Sequence, residues 1–312
     1  MTPPSGPEHL VRAVVARAWH KVFEDRILGL AAEAGFWVLL SLPSLLLVLF
    51  GSFGYLHGVL GPSEIAKIHD DVLRAARDVL TPGTVDSDVA PLVDQILKRG
   101  HPEVISVGFV LSLWTGSTAI NAYLNTITVA YDMRGLRGAL RSRAVGLGLY
   151  LVAVVVGIVM LPVLTLGPNL LVSLAPTDLS EDVSTLVHIV YWPLAALGSV
   201  AFVATLYTAC LPVRVRWRRA LPGAVVAMGL WLLGSYAVRA YLTSSVRTRS
   251  VYGSLGAPIA ALLFFYMTAL AVLIGAEINS AIDSIRPEAS TTEGREMSRR
   301  KRLEKELGPS DT

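Results

Sequence analysis

The sequence predicts an all-α, polytopic membrane protein with six transmembrane helices and both termini in the cytoplasm. Of its 312 residues, 53% are hydrophobic and only 16% are charged, whereas soluble globular proteins carry about 25% charged residues. Residues 255–276 form a run of 22 residues without a charge, which exceeds the ~20 apolar residues needed to cross a bilayer core. Basic residues are also concentrated in alternate connections between the apolar runs, which is typical of multi-span membrane proteins.

The first 26 residues are predicted to form a separate cytoplasmic segment. They carry four basic side chains and no early apolar run, which argues against a cleaved signal peptide. Between residues 9 and 26 the apolar positions Leu10, Val14, Ala18 and Val22 recur every four residues. This spacing predicts an amphipathic helix that lies on the membrane face, although a plain extension of the first span fits it equally well.

The first span is predicted over residues 27–55, and a long hydrophilic connection follows over residues 56–103. Pro43 predicts a kink in the span, where the hydroxyls of Ser41 and Ser44 can bond to freed carbonyls. The connection holds two amphipathic patterns, one within residues 63–80 and one within residues 89–98. We therefore expect two short external helices that cap the bundle or lie among the lipid headgroups.

The remaining spans are predicted from apolar runs of sufficient length. Spans two to five cover residues 104–131, 144–172, 185–211 and 221–242, and the sixth lies within residues 251–283. Together with the first span they define a transmembrane domain over residues 27–283. Residues 284–312 form a basic cytoplasmic tail, and we expect it to be disordered because it has too few apolar side chains to fold alone.

The distribution of lysine and arginine predicts the orientation of these spans. Four basic residues lie in each of the segments 1–26, 132–143 and 211–220, and seven follow residue 284. The opposite side has five in residues 56–103, none in residues 173–184 and two in residues 247–249. This asymmetry places both termini in the cytoplasm and requires an even number of spans.

Polar side chains recur on single faces of the predicted spans. In the second span Ser117, Asn121 and Asn125 are four residues apart, which places them on one helical face. We predict a polar cleft in the cytoplasmic third of the bundle, lined by Glu33, Ser41, Ser117, Asn121, Asn125, Asp132, Glu277 and Asn279. An acid inside a span is by default a functional candidate. The alternative, that these groups only link helices to each other, stays open.

Two arginines are candidates for pairing with acids or with anionic lipid headgroups. Arg134 lies in the basic turn after the second span, and Arg239 lies inside the fifth span. For Arg239 the simpler interpretation is a side chain that extends its charged head to the membrane interface.

Several classes of site are excluded by the composition. A single cysteine, Cys210, rules out an internal disulfide and a cysteine-based metal cluster. The six histidines are scattered, without a metal-binding spacing. We therefore expect no metal, no cofactor, no catalytic residues and no nucleic-acid partner, and the protein is not expected to be an enzyme.

An ordered series of short motifs resembles the YihY/BrkB family of bacterial inner-membrane proteins, whose older members carry a ribonuclease BN label. The motifs are Phe23-x-Asp25-Arg26, Ala31-Ala32-Glu33, Leu40-Ser41-Leu42-Pro43, Trp114 with Asn125, Asp132-x-Arg134, Leu211-Pro212, Tyr252-Gly253-Ser254-Leu255 and Gly275-Ala276-Glu277-Ile278-Asn279. The resemblance implies six spans in the bacterial plasma membrane and a role in envelope homeostasis or transport. It implies no defined reaction.

These observations leave two functions open. The first is a transporter-like or lipid-handling protein with an unidentified small-molecule or lipid substrate. The second is a membrane scaffold that does not transport and that binds envelope proteins through the external helices. A ribonuclease is disfavoured, because the acidic clusters lie in the external connection and the cytoplasmic turns hold almost only arginine. The expected partners are the bilayer and its anionic lipids, and a homo-oligomer is left open.

Overall fold

A computed structural model describes residues 7–55, 102–173, 180–247 and 256–307, with residues 69, 70, 73, 74, 85, 86, 90 and 91 between the first two ranges. The four long ranges contain eight helices and no strand, as the all-α prediction requires. The predicted external helices of residues 56–103 fall almost entirely outside the described residues. The helices are α1 (Pro7–Glu24), α2 (Ile27–Tyr55), α3 (Pro102–Ala130), α4 (Ala139–Ser173), α5 (Ser180–Cys210), α6 (Trp217–Arg247), α7 (Gly256–Ile285) and α8 (Ala289–Leu307).

Five of these helices are long and apolar enough to cross a membrane, namely α2 and α4 to α7. Their outward faces carry large aliphatic side chains such as Val155, Leu197 and Leu233, which are 63%, 67% and 65% exposed. Exposed apolar surface of this extent marks a face that meets lipid or protein. The chain is therefore a multi-pass membrane protein. The helix α3 is 29 residues long and is not one of these five; it includes Ser112, Asn121, Asn125 and several threonines.

Residue contacts divide the chain into two compact units. Unit 1 comprises residues 1–34, 120–235 and 267–312, and unit 2 comprises residues 35–119 and 236–266. In unit 2, α2 and α7 approach closely at Gly35, where an added Cβ would lie 2.9 Å from the backbone nitrogen of Tyr266. Only glycine allows that approach of two backbones.

Unit 2 also contains the predicted proline position of the first span, Pro43. The Ser41 hydroxyl donates to the Val38 carbonyl (2.8 Å) and the Ser44 hydroxyl donates to the Ser41 carbonyl (3.0 Å). Both serines thus bond to carbonyls of their own helix, but neither bonds to the carbonyl of Leu39, which is the one that Pro43 leaves without a helical donor. Ser44 is also 3.4 Å from the Thr115 hydroxyl, which links α2 to α3.

In unit 1, α1 is separated from α2 by a turn. Arg26 has a φ of 54°, in the left-handed region, so the backbone cannot continue as one helix and α1 is not an extension of the first span. The predicted apolar face of α1 packs against α7, where Val14 and Ala18 form a buried cluster with Ala281. The opposite flank of α1 leaves Trp19 67% exposed.

The prediction of a disordered tail is wrong for residues 289–307, which form α8. This helix packs through polar and small groups rather than through an apolar face. An added Cβ at Gly294 would lie 3.0 Å from Val213 and 3.2 Å from Met133, so α8 lies directly on the α3–α4 and α5–α6 connections. Its hydrogen bonds to those connections provide the stabilisation that its few apolar side chains do not.

Candidate functional site

The end of α3 explains why several charged side chains converge in unit 1. The helix ends in a Schellman-type turn with Asp132 in the left-handed conformation (φ 59°), in which Met133 N bonds to Thr128 O at 2.9 Å. The carbonyls of Ala130 and Tyr131 then have no helical partner. Side chains from three other helices bond to them, and cations are favoured there because the carbonyl end of a helix is partly negative.

The Ala130 carbonyl is shared by α1 and α7. Lys21 Nζ donates to it at 3.0 Å and Ser280 Oγ donates to it at 2.6 Å. The Tyr131 carbonyl accepts from Arg295 Nε of α8 at 3.3 Å. Both terminal helices are thereby attached to the same turn.

Two ion pairs extend this arrangement. Lys21 Nζ lies 2.8 Å from Asp132 Oδ2, and Arg134 lies 2.6 Å from Asp25 Oδ1. The Asp25 side chain is only 10% exposed, and burial raises its pKa although Lys21 and Arg134 oppose that effect. The desolvation of the carboxylate therefore outweighs the attraction of the two cations.

Glu277 lies beside this charged turn, and it differs from the other acidic residues of the site because it is buried without a hydrogen-bond partner in the part of the chain that the structure describes. Its side chain is fully buried in α7, and neither carboxylate oxygen has a hydrogen-bond partner within the described residues. Lys21, Asp25, Asp132 and Glu24 are the charged groups that act on it electrostatically, with Lys21 the strongest. A buried carboxylate without a partner is costly.

Asn279, two residues further along α7, has a different role. Its Oδ1 accepts from Gly223 N at 2.8 Å and its Nδ2 donates to Ala220 O at 3.0 Å. The amide thus bonds to the backbone of α6 on both sides of Pro222. An added Cβ at Gly223 or Gly275 would overlap the other glycine's carbonyl oxygen. Asn279 therefore fixes a crossing at which the backbones of α6 and α7 are in direct contact.

Asp283 anchors α8 to the end of α7. Its carboxylate is 2.7 Å from Arg295 and 3.5 Å from Arg219, and it accepts a hydrogen bond from the Thr291 hydroxyl at 3.1 Å. The side chain is 6% exposed. This carboxylate has four polar partners when the backbone nitrogen of Glu288, at 3.3 Å, is included. The charge of Asp283 is therefore compensated by its partners, whereas Glu277 has no such partners among the described residues.

Arg137 closes the end of α5 in a similar way. Its guanidinium donates to the carbonyls of Cys210 at 2.9 Å and Leu211 at 2.6 Å. Burial lowers the pKa of Arg137. The basic connections are therefore not only solvated charges, because this arginine caps the last carbonyls of a neighbouring helix.

Among the predicted cleft residues, the structure brings Asp132, Glu277 and Asn279 to one end of unit 1. Glu33 is exposed on α2 and Asn125 is exposed on α3. Asn121 contacts α4, since its Oδ1 lies 3.4 Å from the Ser142 hydroxyl and its amide occupies the space beside Gly146.

The other predicted residues belong to different surroundings. Ser41 and Ser117, in unit 2, are buried and donate to carbonyls of their own helices, at 2.8 Å and 3.1 Å. Arg239, also in unit 2, is exposed on α6. Arg134 pairs with Asp25, as the charge-pairing prediction proposes.

Sequence reasoning did not select Lys21, Asp25, Asp283 or Arg295. Lys21 stood only as one of the basic residues that orient the spans. A signal was present in the four-residue spacing of the α1 apolar face, because a buried face places the neighbouring Lys21 at its edge. For Asp283 and Arg295 the sequence offers no local signal, since the pairing crosses the turn between α7 and α8.

The comparisons with known proteins agree on the family. A sequence model of the family described as virulence factor BrkB matches residues 18–300. A ribonuclease-like protein of Bacillus subtilis, YfkH, is 25% identical over 256 residues, which cover 81% of this chain and 88% of that protein. No solved structure matches the chain significantly.

Two further relatives are named only as UPF0761 membrane proteins. That of Vibrio vulnificus (strain YJ016) is 35% identical over 130 residues, or 38% of this chain and 41% of the relative. That of Stenotrophomonas maltophilia (strain K279a) is 21% identical over 274 residues, or 86% of this chain and 60% of the relative. The chain thus spans less than two thirds of the length of these two relatives.

Proposed function

This chain belongs to the virulence factor BrkB family, and from that premise we propose that it is a transporter-like or lipid-handling protein of the bacterial plasma membrane. The observation that carries the proposal is Glu277, which is fully buried and has no hydrogen-bond partner within the described residues. A carboxylate inside a membrane span is expensive, and such groups mark substrate or ion pathways.

The charged surroundings of Glu277 support the same proposal. Most of the other buried polar groups described above have partners, as Asn279 and Asp283 show. The charged group with the strongest electrostatic effect on Glu277 is instead a lysine, Lys21, whose side chain is 18% exposed. The Glu277 carboxyl group has no hydrogen-bond partner in the described part of the chain and lies close to a cation that can change its own partner. This arrangement fits a site that binds its substrate during only part of a transport cycle.

The contacts of α1 and α8 support a further part of the proposal, that the chain has six spans. The turn after α3 is bound by α1 through Lys21 and by α8 through Arg295 and Ser298. These two helices therefore lie at the same end of unit 1. A chain that leaves and returns to one side crosses an even number of times, so we propose α3 as a span beside the five apolar helices.

The orientation is proposed from the charges at this end. Arg134, Arg137 and Arg219 lie there together with the basic α8. Because positively charged connections stay in the cytoplasm, both termini are assigned to the cytoplasmic side. The exposed Trp19 and Phe23 of α1, whose rings lie 5.2 Å apart, suit the interface with anionic lipids.

A ribonuclease activity is not part of the proposal. The ribonuclease-like label belongs to the Bacillus subtilis relative. Within the described part of this chain, no group of three His, Cys, Asp or Glu side chains could hold a metal ion, and such a group is the usual means of activating water against a phosphodiester.

The test is reconstitution into liposomes of phosphatidylethanolamine and phosphatidylglycerol. Transbilayer movement of a fluorescent phosphatidylglycerol and of small ions is measured for the wild type, Glu277→Gln and Glu33→Gln. Glu293→Gln, an exposed acid on α8, is the matched control. The proposal expects movement of at least one probe, its loss in Glu277→Gln and its retention in the control.

The scaffold function is the alternative outcome of this experiment. It depends on residues 56–103, which lie almost entirely outside the described residues. No movement of any probe by a well-inserted wild type, together with capture of envelope proteins that requires residues 63–100, would favour the scaffold.

A further inference from the structure

We propose that Glu277 is a proton-binding site whose alternative partner is Lys21, which exchanges between Asp132 and Glu277. The inference rests on the proposed function only in assigning this exchange to a transport cycle. In the structure Lys21 is paired with Asp132, and in this arrangement the proposal places the proton on Glu277.

The distance that Lys21 must travel is short. Its Nζ shares the Ala130 carbonyl with Ser280 Oγ, and Ser280 follows Glu277 by three residues on the same face of α7. The ammonium group therefore approaches α7 within one turn of Glu277, and Lys21 is the charged group with the strongest electrostatic effect on that carboxyl group. A change of side-chain rotamer can transfer a lysine over such a distance without moving a helix.

In each of the two arrangements, no buried charge is left without a partner of opposite sign. When Glu277 is protonated it is neutral, and Lys21 pairs with Asp132. When Glu277 releases its proton to water, the new carboxylate attracts Lys21, and Asp132 is left in a side-chain position that is 56% exposed. An exposed carboxylate tolerates the loss of its partner, whereas a buried one does not.

Water reaches this exchange from the side of α1. Lys21 lines a groove of about 550 Å³ together with Ala13, Ala16, Arg17, His20, Glu24 and Ile285. The groove is open to the surface, so it offers a route by which the proton leaves. The charged residues Arg17 and Glu24 in its lining also keep the free end of Lys21 hydrated while it changes partner.

The surroundings favour a proton over a metal ion. Sodium or potassium needs several oxygen ligands, and the oxygens near Glu277 are already occupied. The Ala130 carbonyl accepts two hydrogen bonds, and the Asn279 amide is bonded to α6. The charged groups that act on Glu277 are Lys21, Glu24 and Asp25 at the end of α1 and Asp132 in the turn after α3. The hydroxyl of Tyr131, in the same turn, is a further titratable group that interacts with it.

The experiment follows the proton directly by infrared spectroscopy of the protein in lipid nanodiscs. The carbonyl stretch of a protonated carboxyl group is titrated from acid to alkaline pH and assigned to Glu277 by its loss in Glu277→Gln. We expect Lys21→Met to move the midpoint upward and Asp132→Asn to move it downward, each by about one pH unit, a tenfold change in proton affinity.

A static electric field would give shifts of the same sign, so the decisive measurement is the double variant. If Lys21 exchanges, the effect of Asp132→Asn is largely lost when Lys21→Met is also present, since no cation remains to be released. Glu24→Gln is the matched control, because it removes an acid that acts more weakly on the same site and is paired with His20. Its smaller shift should be the same with and without Lys21.

A shift for Asp132→Asn that is the same with and without Lys21, as for Glu24→Gln, overturns the exchange, and the absence of a titrating band at Glu277 overturns the proton site. The measurement needs no transport. A titration of the expected form in a protein that moves no probe therefore rejects the proposed function alone, whereas probe movement without the band rejects this inference alone.

Discussion

Lys21 of α1 and Ser280 of α7 donate hydrogen bonds to the same atom, the carbonyl oxygen of Ala130 at the end of α3. The acceptor exists because the turn at Asp132 ends α3 and leaves that carbonyl without a helical partner. One unpaired backbone group thus joins the N-terminal helix to the helix that holds Glu277. The predictions below test the packing and charges around this junction.

The first prediction concerns Asn279. We expect Asn279→Ala to lower the free energy of unfolding in detergent by roughly 1–3 kcal/mol, because two hydrogen bonds are lost and buried backbone groups of α6 stay unpaired. Unfolding by titration with a denaturing detergent measures the change. Asn125→Ala, which removes an exposed amide from α3, should change stability by less than about 0.5 kcal/mol. Equal effects of the two substitutions would contradict the assigned role.

The second prediction concerns the contact between α6 and α7. The Cβ introduced by Gly275→Ala would overlap the Tyr207 hydroxyl and the Gly223 carbonyl, so we expect a loss of about 1–3 kcal/mol in the same unfolding assay. Gly229→Ala in α6 is the control, since nothing lies within 4 Å of that Cβ. The control should keep or raise stability, because alanine is the better helix former.

The third prediction concerns pH. Burial raises the pKa of Asp25 in the folded protein, so the folded state binds that proton more tightly than the unfolded state does. The contribution of Asp25 to stability therefore grows as pH falls through the raised pKa and is lost above it. The free energy of unfolding of the wild type should rise relative to that of Asp25→Asn as pH decreases from neutral. Glu24→Gln, at an exposed neighbour, should leave the pH dependence in place, and an opposite slope would contradict the prediction.

The fourth prediction concerns the attachment of α8. Asp283→Asn removes the buried partner of Arg295 and Arg219, and the loss of one member of a buried ion pair costs about 3–5 kcal/mol. We expect trypsin to cleave near Arg299 and Arg300 at least about tenfold faster, a change that needs only ~1.4 kcal/mol of local destabilisation. Glu293→Gln on the exposed face of α8 should be cleaved at the wild-type rate. Unchanged cleavage of Asp283→Asn would show that the ion pairs do not hold this helix.

The fifth prediction concerns the number of spans. Single cysteines are placed at Ser87 and at Gly138, in a Cys210→Ala background, and are labelled in intact cells with a reagent that does not cross the plasma membrane. Six spans predict labelling at position 87 only, because α3 lies between the two positions. Labelling at both positions, or at neither, would remove α3 from the set of spans.

Much of the fold could be predicted from hydropathy and charge, because those patterns are local in the sequence. The five apolar helices, the all-α class and the buried face of α1 at Val14 and Ala18 are of this kind. Glu277 was also a candidate from sequence alone, since a carboxylate in a long apolar run has a cost that is independent of its partners.

What could not be predicted depends on contacts between distant residues. The tail folds as α8 because Arg295 donates hydrogen bonds to Asp283 and to the Tyr131 carbonyl. Both partners lie outside the tail, so the composition of the tail does not indicate these bonds. The spacing of Asn121 and Asn125 predicts that they share one side of α3, but periodicity does not say which helix that side meets: Asn121 contacts α4, whereas Asn125 is exposed. Lys21 belongs to the candidate site only because the turn after α3 brings its partners within reach of the lysine side chain.

The crossing of α6 and α7 limits how the protein can move. Two backbones in direct contact at Gly223 and Gly275, fastened by the Asn279 amide, leave no room for these helices to slide like pistons. The segment of α7 that carries Glu277 is therefore held in a fixed position against α6, whereas α1, which meets α2 at the left-handed residue Arg26, takes no part in this crossing.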